Sequence, residues 1–403
     1  MNAVVAFVVV MLVWTVSDWV AKKTGSLLSS LFVASIIFLI GFMTGVFPPD
    51  LLQASSLLGL AGVVVGFIIV HLGTMISLDD FKKQWKTLLI GIAAVVGIGL
   101  LLLLAGILFG IRATPNEYGE LISRFGRDYA IAGIGALSGG TISVLIVQEA
   151  ALGVGLTTVA AFPVLIAALQ GLFGFPLTSL LLRREAARLK EEYRGGRLAA
   201  PVVEEAGAAS EGKLPAVLRP TPGTLLCVGV VVLLSIGINN LTNGTLNTFV
   251  VALLFGIALR TLGIFKPSVL SGIDAFGLMM LAIMIMVFGP LANLRPADLA
   301  ALAGPLAIAF GFGLVGIAVF SLVVGKLLGY SVPMSIAIGL TSLYGFPGTM
   351  ILSQEAAKGA GETPEEVAAI EGEMLPKMIV AGFSTVTITS VIVTSVIASG
   401  IGR

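Results

Sequence analysis

The chain has 403 residues, of which 57% are hydrophobic and 11% are charged, whereas a soluble domain carries about 25% charged residues. This composition excludes an ordinary soluble domain and indicates many membrane-spanning helices. The formal net charge of +1 argues against a nucleic-acid partner, and the single cysteine, Cys227, excludes an intrachain disulfide. Barrel strands would alternate in hydropathy over about 10 residues, but residues 88–110 are apolar throughout, so we predict helices.

Ten apolar segments reach the length of about 20 residues that a bilayer requires. We interpret the first as a transmembrane helix rather than a signal peptide, because no basic region precedes it. The predicted spans of the first half are residues 3–21, 28–47, 54–77, 87–111 and 157–182. Those of the second half are residues 222–239, 246–264, 271–292, 302–326 and 376–399.

Two glycine-rich segments, residues 129–155 and 331–360, follow the fourth span of each half. Their Gly, Ser, Thr and Pro residues interrupt them too often for ordinary spans. The first reads GGTISVLIVQEAA from Gly139 and the second reads PGTMILSQEAA from Pro347, so both contain Gly-Thr followed by Gln-Glu-Ala-Ala. Other landmarks recur in the same order, which indicates a sequence repeat, although short apolar segments also align by chance.

A charged segment, residues 184–220, separates the two halves. It begins with a stretch that favours a helix and becomes rich in Ala, Gly and Pro, which is typical of a solvent-exposed linker that is partly disordered. It therefore divides the chain into a first repeat, residues 1–183, and a second repeat, residues 221–403.

The distribution of basic residues predicts the topology, because Lys and Arg near span ends favour the cytoplasm. If both glycine-rich segments are re-entrant hairpins, most basic residues share one face. That face would hold Lys22, Lys23, Lys82, Lys83, Lys86, Arg183, Arg184, Arg188, Lys190, Arg194, Arg197, Arg260, Lys266 and Lys326. We therefore predict an all-α membrane protein with both termini outside and ten transmembrane helices. They form two inverted five-helix repeats with one hairpin each, a design typical of secondary transporters.

The hairpin tips form the predicted substrate site. Irregular backbone is tolerated at membrane depth only where it is buried in protein or lines a cavity. There, helix N-terminal amides favour anions and free carbonyls favour Na⁺, while glycine allows a ligand to approach the backbone. The predicted walls are Ser138, Gly139, Gly140, Thr141 and Ser143 on one side and Tyr344, Gly345, Gly348 and Thr349 on the other. The alternative is a patch of small residues that only packs helices.

Two Gln-Glu pairs, Gln148 with Glu149 and Gln354 with Glu355, lie in these otherwise apolar segments. Because ionisable residues inside a membrane are costly and usually functional, we predict that the pairs bind the coupling cation or carry a proton. The alternative is that each pair lies near the wet end of its hairpin and only orients it. The second copy is two residues shorter between Thr and Gln, so the pairs need not face their sites alike.

Lys377 is a further candidate for substrate binding, as a countercharge for a carboxylate. Its spacing of four residues from Glu373 also predicts an ion pair on one helix face. The only histidine, His71, is predicted to be a packed polar residue, with a proton relay as the alternative.

The tip motifs ALSGGTIS, ending at Ser143, and SLYGFPGT, ending at Thr349, resemble those of bacterial sodium-coupled carboxylate carriers. These are the glutamate:sodium symporter family and the related 2-hydroxycarboxylate (citrate-type) symporters. The resemblance in layout covers most of the chain. It implies a substrate and Na⁺ site at the tips, and a mobile domain that moves against a dimeric scaffold. The chain departs from this pattern at Pro347 and in having no arginine beside either tip, which argues against dicarboxylate or tricarboxylate specificity.

The sequence thus predicts a secondary active transporter of the bacterial inner membrane that is a homodimer and not an enzyme. It would couple Na⁺ or H⁺ to the movement of a small organic anion or amino acid such as glutamate, with an elevator mechanism. No cofactor and no resident metal are expected, and its other partner would be membrane lipid. One alternative is a cation/proton exchanger in which Glu149 and Glu355 form the transport site. Another alternative is an intramembrane enzyme, but the sequence contains no His-Glu-x-x-His motif and no serine beside a plausible base.

Overall fold

The computed structural model describes residues 1–75, 82, 84–110, 125–198, 213–242, 246, 248–271, 273 and 275–402. Within these ranges all regular elements are helical and no β-strand occurs. The predictions for Lys83 and for residues 199–212 of the linker lie outside the described residues.

The first half of the chain contains eight α-helices in its described part. They are α1 (Ala3–Lys23), α2 (Ser30–Met43), α3 (Leu51–Ala54), α4 (Leu57–Met75), α5 (Trp85–Gly110), α6 (Arg127–Leu137), α7 (Thr141–Gly153) and α8 (Thr157–Arg194). α8 continues past the predicted span to Arg194, which confirms that the segment after residue 183 begins as a helix.

The described part of the second half also contains eight α-helices. They are α9 (Thr221–Leu241), α10 (Thr248–Thr261), α11 (Phe276–Ile285), α12 (Pro296–Leu327), α13 (Val332–Leu340), α14 (Gly348–Ala360), α15 (Pro364–Phe383) and α16 (Ser390–Ala398). Tighter 3₁₀ turns, Met286–Asn293 and Thr341–Leu343, extend α11 and α13, and a π-helical turn, Ser384–Thr389, joins α15 to α16.

Three pairs of helices have matching lengths and occur in the same order in the two halves. α1 and α9 have 21 residues each, α2 and α10 have 14 each, and α7 and α14 have 13 each. The chain turns in the same way after α2 and α10, because Gly45 and Gly263 both adopt positive φ angles, 75° and 70°, two residues beyond the helix. A phenylalanine, Phe47 or Phe265, follows at the same distance.

Eight helical segments among the described residues are long and apolar enough to cross a membrane, which indicates an integral membrane protein. They are Ala3–Lys23, Leu57–Met75, Trp85–Phe109, Thr157–Arg194, Thr221–Leu241, Phe276–Asn293, Pro296–Leu327 and Pro364–Ala398. The prediction of ten full spans is not confirmed, because predicted spans 28–47 and 246–264 correspond to α2 and α10. A helix of 14 residues is about 21 Å long, shorter than the roughly 30 Å hydrocarbon core.

One compact unit consists of Met1–Val10, Leu51–Trp85 and Ala200–Val287. Within it, α4 packs against α9, α10 and α11. Glycines let the backbones of α4 and α10 touch: a Cβ atom on Gly73 would overlap the carbonyl oxygen of Leu253, and one on Gly256 would overlap that of Val70.

The C-terminal end of α4 is held by polar contacts within the same unit. The Nδ1 atom of His71 accepts a hydrogen bond of 3.1 Å from the backbone N–H of Leu270, and its ring lies edge-on to Phe276. Thr74 Oγ1 accepts a hydrogen bond from the N–H of Val269 at 3.0 Å. His71 is therefore a packed, hydrogen-bonded residue, since only 3% of its surface is exposed.

The other compact unit consists of Met11–Asp50, Lys86–Ala199 and Phe288–Arg403. The long helix α8 contacts α2, α6, α7, α13, α14 and α15 within this unit. The C-terminal end of α8 is fixed by ion pairs: Lys190 lies 2.6 Å from Glu362, and Arg194 lies 2.7 Å from both Glu362 and Glu366. The hydrogen bonds from Lys190 and Arg194 hold the pKa of the Glu362 carboxyl below its usual value.

We expect Gly73→Ala to destabilise the protein by about 1–3 kcal/mol, because the added methyl group would overlap backbone that cannot rotate away. Gly59→Ala is the matched control on α4, since a Cβ at Gly59 meets no atom within 4 Å. Thermal unfolding of the two purified variants in detergent measures the difference. Equal midpoints for Gly73→Ala and wild type would contradict the packing described here.

Candidate functional site

Both glycine-rich segments are interrupted helices. In the first, α6 ends at Leu137 and α7 begins at Thr141, and we call residues 138–140 between them the first break. Gly139 and Gly140 have φ angles of 89° and 87°, a left-handed conformation that other residues rarely adopt. Residues 129–155 are therefore not one continuous helix.

The second break comprises residues 341–347, between α13 and α14. It starts with a 3₁₀ turn, includes Gly345 at φ 56°, and ends with a cis peptide bond between Phe346 and Pro347. α14 begins at Gly348, immediately after the break, just as α7 begins at Thr141 after the first break.

The two breaks meet inside one compact unit. A Cβ atom on Gly139 would overlap the carbonyl oxygen of Ser342, and one on Gly140 would overlap the carbonyl oxygen of Val386. A Cβ atom on Gly345 would lie 3.0 Å from the side chain of Val386. Residues from both breaks therefore surround one point on the last helical segment of the chain.

That point lies in the π-helical turn Ser384–Thr389. A π turn widens a helix locally and is frequently found at functional sites. Thr385 Oγ1 lies 3.2 Å from Thr341 Oγ1 in the second break, so hydroxyl groups of the two segments are hydrogen-bonded. The sequence analysis missed this turn, although five hydroxyl residues in the stretch STVTITS are an available signal within an apolar span.

Several buried hydroxyl groups at this place have no hydrogen-bond partner. In the described part of the chain six buried side-chain polar atoms lack a partner, and four of them are hydroxyl groups in the second break or on helices beside the breaks. These four are Ser143 Oγ on α7, Ser342 Oγ in the second break, Thr349 Oγ1 on α14 and Thr394 Oγ1 on α16. An unpaired buried hydroxyl costs about 1–3 kcal/mol, and natural structures contain few, so each requires an explanation.

The chemistry of this site is that of hard oxygen ligands and helix ends. Hydroxyl oxygens and the carbonyls of an interrupted helix suit Na⁺, whereas the N-terminal amides of α7 and α14 suit an anion. Among the described residues no group of three or more His, Cys, Asp or Glu side chains is arranged to hold a metal ion. The site therefore offers neutral oxygen atoms rather than a cluster of charged ligands.

The remaining predicted tip residues have structural partners. The Ser138 hydroxyl donates to the carbonyl of Gly135 at 3.2 Å, and the Tyr344 hydroxyl donates to Thr178 Oγ1 at 3.0 Å. Gly348 lies against the ring of Tyr344, where a Cβ atom would approach within 2.6 Å. The side chain of Thr141 lies outside the described residues.

Lys377 forms an ion pair with Glu373, which confirms that interpretation of their spacing. Its ammonium group also lies 5.4 Å from the centre of the Tyr330 ring. Neither partner belongs to a break, so no described contact of Lys377 supports its prediction as a substrate ligand.

The two Gln-Glu pairs have different surroundings. Glu149 is exposed and has no ion pair or hydrogen-bond partner among the described residues, and Gln148 beside it is half-buried. Gln354 Nε2 donates to Glu371 at 3.0 Å, and the Glu355 carboxylate accepts hydrogen bonds from the N–H and hydroxyl of Ser30. The surroundings differ because the two glutamates lie at different positions around the helix axis relative to the threonine that precedes them.

Glu149 follows Thr141 by eight positions and Glu355 follows Thr349 by six. A difference of two positions turns a side chain by roughly 200° about the helix axis. Relative to the threonine of its own segment, each carboxyl group consequently points to nearly the opposite side of its helix from the other. The Gln-Glu-Ala-Ala motif around them is nevertheless the same.

No protein-family model matches the chain, and no curated protein matches it. The chemistry of the two breaks and of the π turn is therefore the basis for a functional interpretation.

We expect Gly139→Ala to be markedly more destabilising than Gly155→Ala. Both positions have positive φ angles, 89° and 77°, but a Cβ at Gly155 meets no atom within 4 Å. The control therefore carries only the conformational cost of about 1–2 kcal/mol, while Gly139→Ala must also displace the second break. Thermal unfolding of both variants measures this difference, and equal losses would mean that the breaks do not touch.

Proposed function

We propose that the protein is a secondary active transporter that couples Na⁺ or H⁺ to the movement of a small organic anion or amino acid such as glutamate. In this proposal it belongs with the glutamate:sodium symporters and the related 2-hydroxycarboxylate carriers that its tip motifs resemble. The observation that carries the proposal is the meeting of two glycine breaks, with four unpartnered hydroxyl groups in the second break or on helices beside the breaks. Unpartnered hydroxyls beside two helix interruptions are explained by a bound cargo or cation, which would supply their missing contacts.

The proposal includes two inverted repeats of five helices, with both termini outside. Three matched pairs of helix lengths, and the matched turns after α2 and α10, support a repeat of structure as well as of sequence. An odd number of spans in each repeat would insert the two copies in opposite directions. The breaks would then be the tips of re-entrant hairpins that approach the midplane from opposite sides.

An elevator mechanism requires that one body carries the complete binding site. Both breaks and the π turn belong to the same compact unit, while α4, α9, α10 and α11 belong to the other. In our proposal the unit with the breaks moves with its cargo, and the other unit forms the scaffold of a homodimer.

Different parts of the site would bind the anionic cargo and the cation. The N-terminal ends of α7 and α14 would face the carboxylate of the cargo. Ser143, Ser342 and Thr349, with backbone carbonyls of the breaks, would bind Na⁺. Binding would give the unpartnered hydroxyls their missing contacts, so the site would be most stable when loaded.

A thermal-shift screen of the purified protein tests the proposal. Glutamate, other amino acids and carboxylates are added with Na⁺ or with K⁺ in its place, over a range of pH. A ligand that binds only the native state raises its stability by about 2.7 kcal/mol at a concentration of 100 Kd. We expect one class of organic anion or amino acid to stabilise the protein more strongly with Na⁺. Stabilisation by cations or pH alone, with no organic compound effective, would favour the alternative of a cation/proton exchanger.

Thr349→Val tests the role of the unpartnered hydroxyls. The variant should be as stable as wild type without Na⁺, or more stable, because valine has a similar shape and no hydrogen bond is lost. Its stabilisation by Na⁺ should fall at least several-fold. Thr261→Val is the control, since that hydroxyl bonds to the carbonyl of Ile257 at 2.8 Å outside the site. An unchanged Na⁺ response in Thr349→Val would exclude Thr349 as a ligand.

A further inference from the structure

Glu355 lies in a polar contact that is separate from the breaks. It is on α14, six positions beyond Thr349, and therefore about 9 Å farther along the helix axis. Its carboxylate meets the first residue of α2, where the N–H of Ser30 donates to Oε1 at 3.1 Å and the Ser30 hydroxyl donates to the same oxygen. All of these residues belong to one compact unit.

The loop before α2 is fitted closely to α14. The Ser26 hydroxyl donates to the backbone carbonyl of Glu355 at 2.9 Å. Gly25 and Ser26 adopt positive φ angles of 54° and 60°, and a Cβ atom on Gly359 would lie 3.0 Å from Ser26 Oγ. Ser30 is thereby held in place against the carboxylate.

The second carboxylate oxygen has no such partner. Glu355 Oε2 is buried and makes no hydrogen bond within the described part of the chain. Asp18 and Lys358 are the charged groups that act on the carboxyl from α1 and α14. Asp18 opposes a negative charge there and is itself paired with Lys22 at 2.7 Å, and among the described residues no Lys or Arg forms an ion pair with Glu355.

α8 and α15 also pack against α14. Arg183 on α8 approaches the loop before α2, where a Cβ atom on Gly25 would lie 3.8 Å from its guanidinium. Glu371 on α15 accepts a hydrogen bond from Gln354. One carboxylate oxygen is thus held by two donors, while the other is buried and available to a proton.

We propose that Glu355, held by Ser30, is the group that carries a proton across the membrane in each transport cycle. The inference rests on the proposed function and deepens it, because it assigns H⁺ coupling to one carboxyl and excludes Glu149. Oε2 takes a proton from water on one side and returns it to water on the other, so that only an O–H bond forms and breaks. Neutralising the carboxyl removes the cost of moving a buried charge with its unit.

Infrared difference spectroscopy of the purified protein, stepped in pH, tests the protonation without any substrate. At about pH 6 ordinary carboxyl groups are ionised, so a protonated carboxyl band there reports an unusual group. We expect this band in wild type and in Glu149→Gln, and its loss in Glu355→Gln. The Glu149 variant is a matched control, because it makes the same chemical change in the same Gln-Glu-Ala-Ala motif.

Ser30→Ala keeps the carboxyl and removes one of its two donors. The band should persist in this variant but change in frequency, and it should persist to higher pH, because the ionised form loses a hydrogen bond. If Glu355→Gln fails to fold, Ser30→Ala still tests whether the band belongs to Glu355. An identical band and identical pH dependence in Ser30→Ala would overturn the proposal, as would a band that survives in Glu355→Gln or disappears in Glu149→Gln.

Uptake into proteoliposomes tests the coupling, with L-glutamate as the probe and a pH-sensitive dye inside the vesicles. We expect an imposed pH gradient to accelerate uptake by wild type and Glu149→Gln and to have no effect on Glu355→Gln. Uptake by Glu355→Gln that still follows the gradient would overturn proton carriage. If no vesicle takes up L-glutamate, glutamate transport fails as a proposed function, while the infrared result still decides whether Glu355 binds a proton.

Discussion

An interrupted helix in apolar surroundings leaves backbone N–H and C=O groups without partners, and each such group costs free energy unless it is satisfied. This constraint shapes the compact unit that contains both glycine breaks. The first break is packed so tightly against Ser342 and Val386 that no side chain fits at Gly139 or Gly140. Two interruptions and a π turn at one place lie beside four of the six unpartnered buried side-chain polar atoms in the described part of the chain, and such a concentration favours a ligand site.

The same constraint explains why glycine recurs at the other close crossings. α5 and α12, each the third long helix of its half, approach so closely that a Cβ on Gly97 or Gly316 would overlap the opposite backbone. α4 and α10 meet in the same way at Gly73 and Gly256. The hydrophobic effect does not drive association between helices that are surrounded by lipid, so van der Waals contact becomes important. Small residues let the backbones approach closely enough for this contact.

The two halves resemble each other in element order but not in chemistry. Glu149 and Glu355 occupy the same motif, yet one is exposed and the other is bound by Ser30. Sequence reasoning recognised the shorter spacing in the second copy, and helical phase converts that spacing into opposite orientations. The two carboxylates are therefore not equivalent in their described contacts.

The sequence by itself determined the helical membrane character, the positions of the two interruptions and the ion pair of Lys377 with Glu373. These follow from hydropathy, glycine content and i,i+4 spacing, which act over a few residues. Only the tertiary structure decided that the breaks touch, that the π turn Ser384–Thr389 lies between them, and that Ser30 binds Glu355. Those contacts join residues far apart in the chain, and local patterns carry no record of which distant surfaces will pack together.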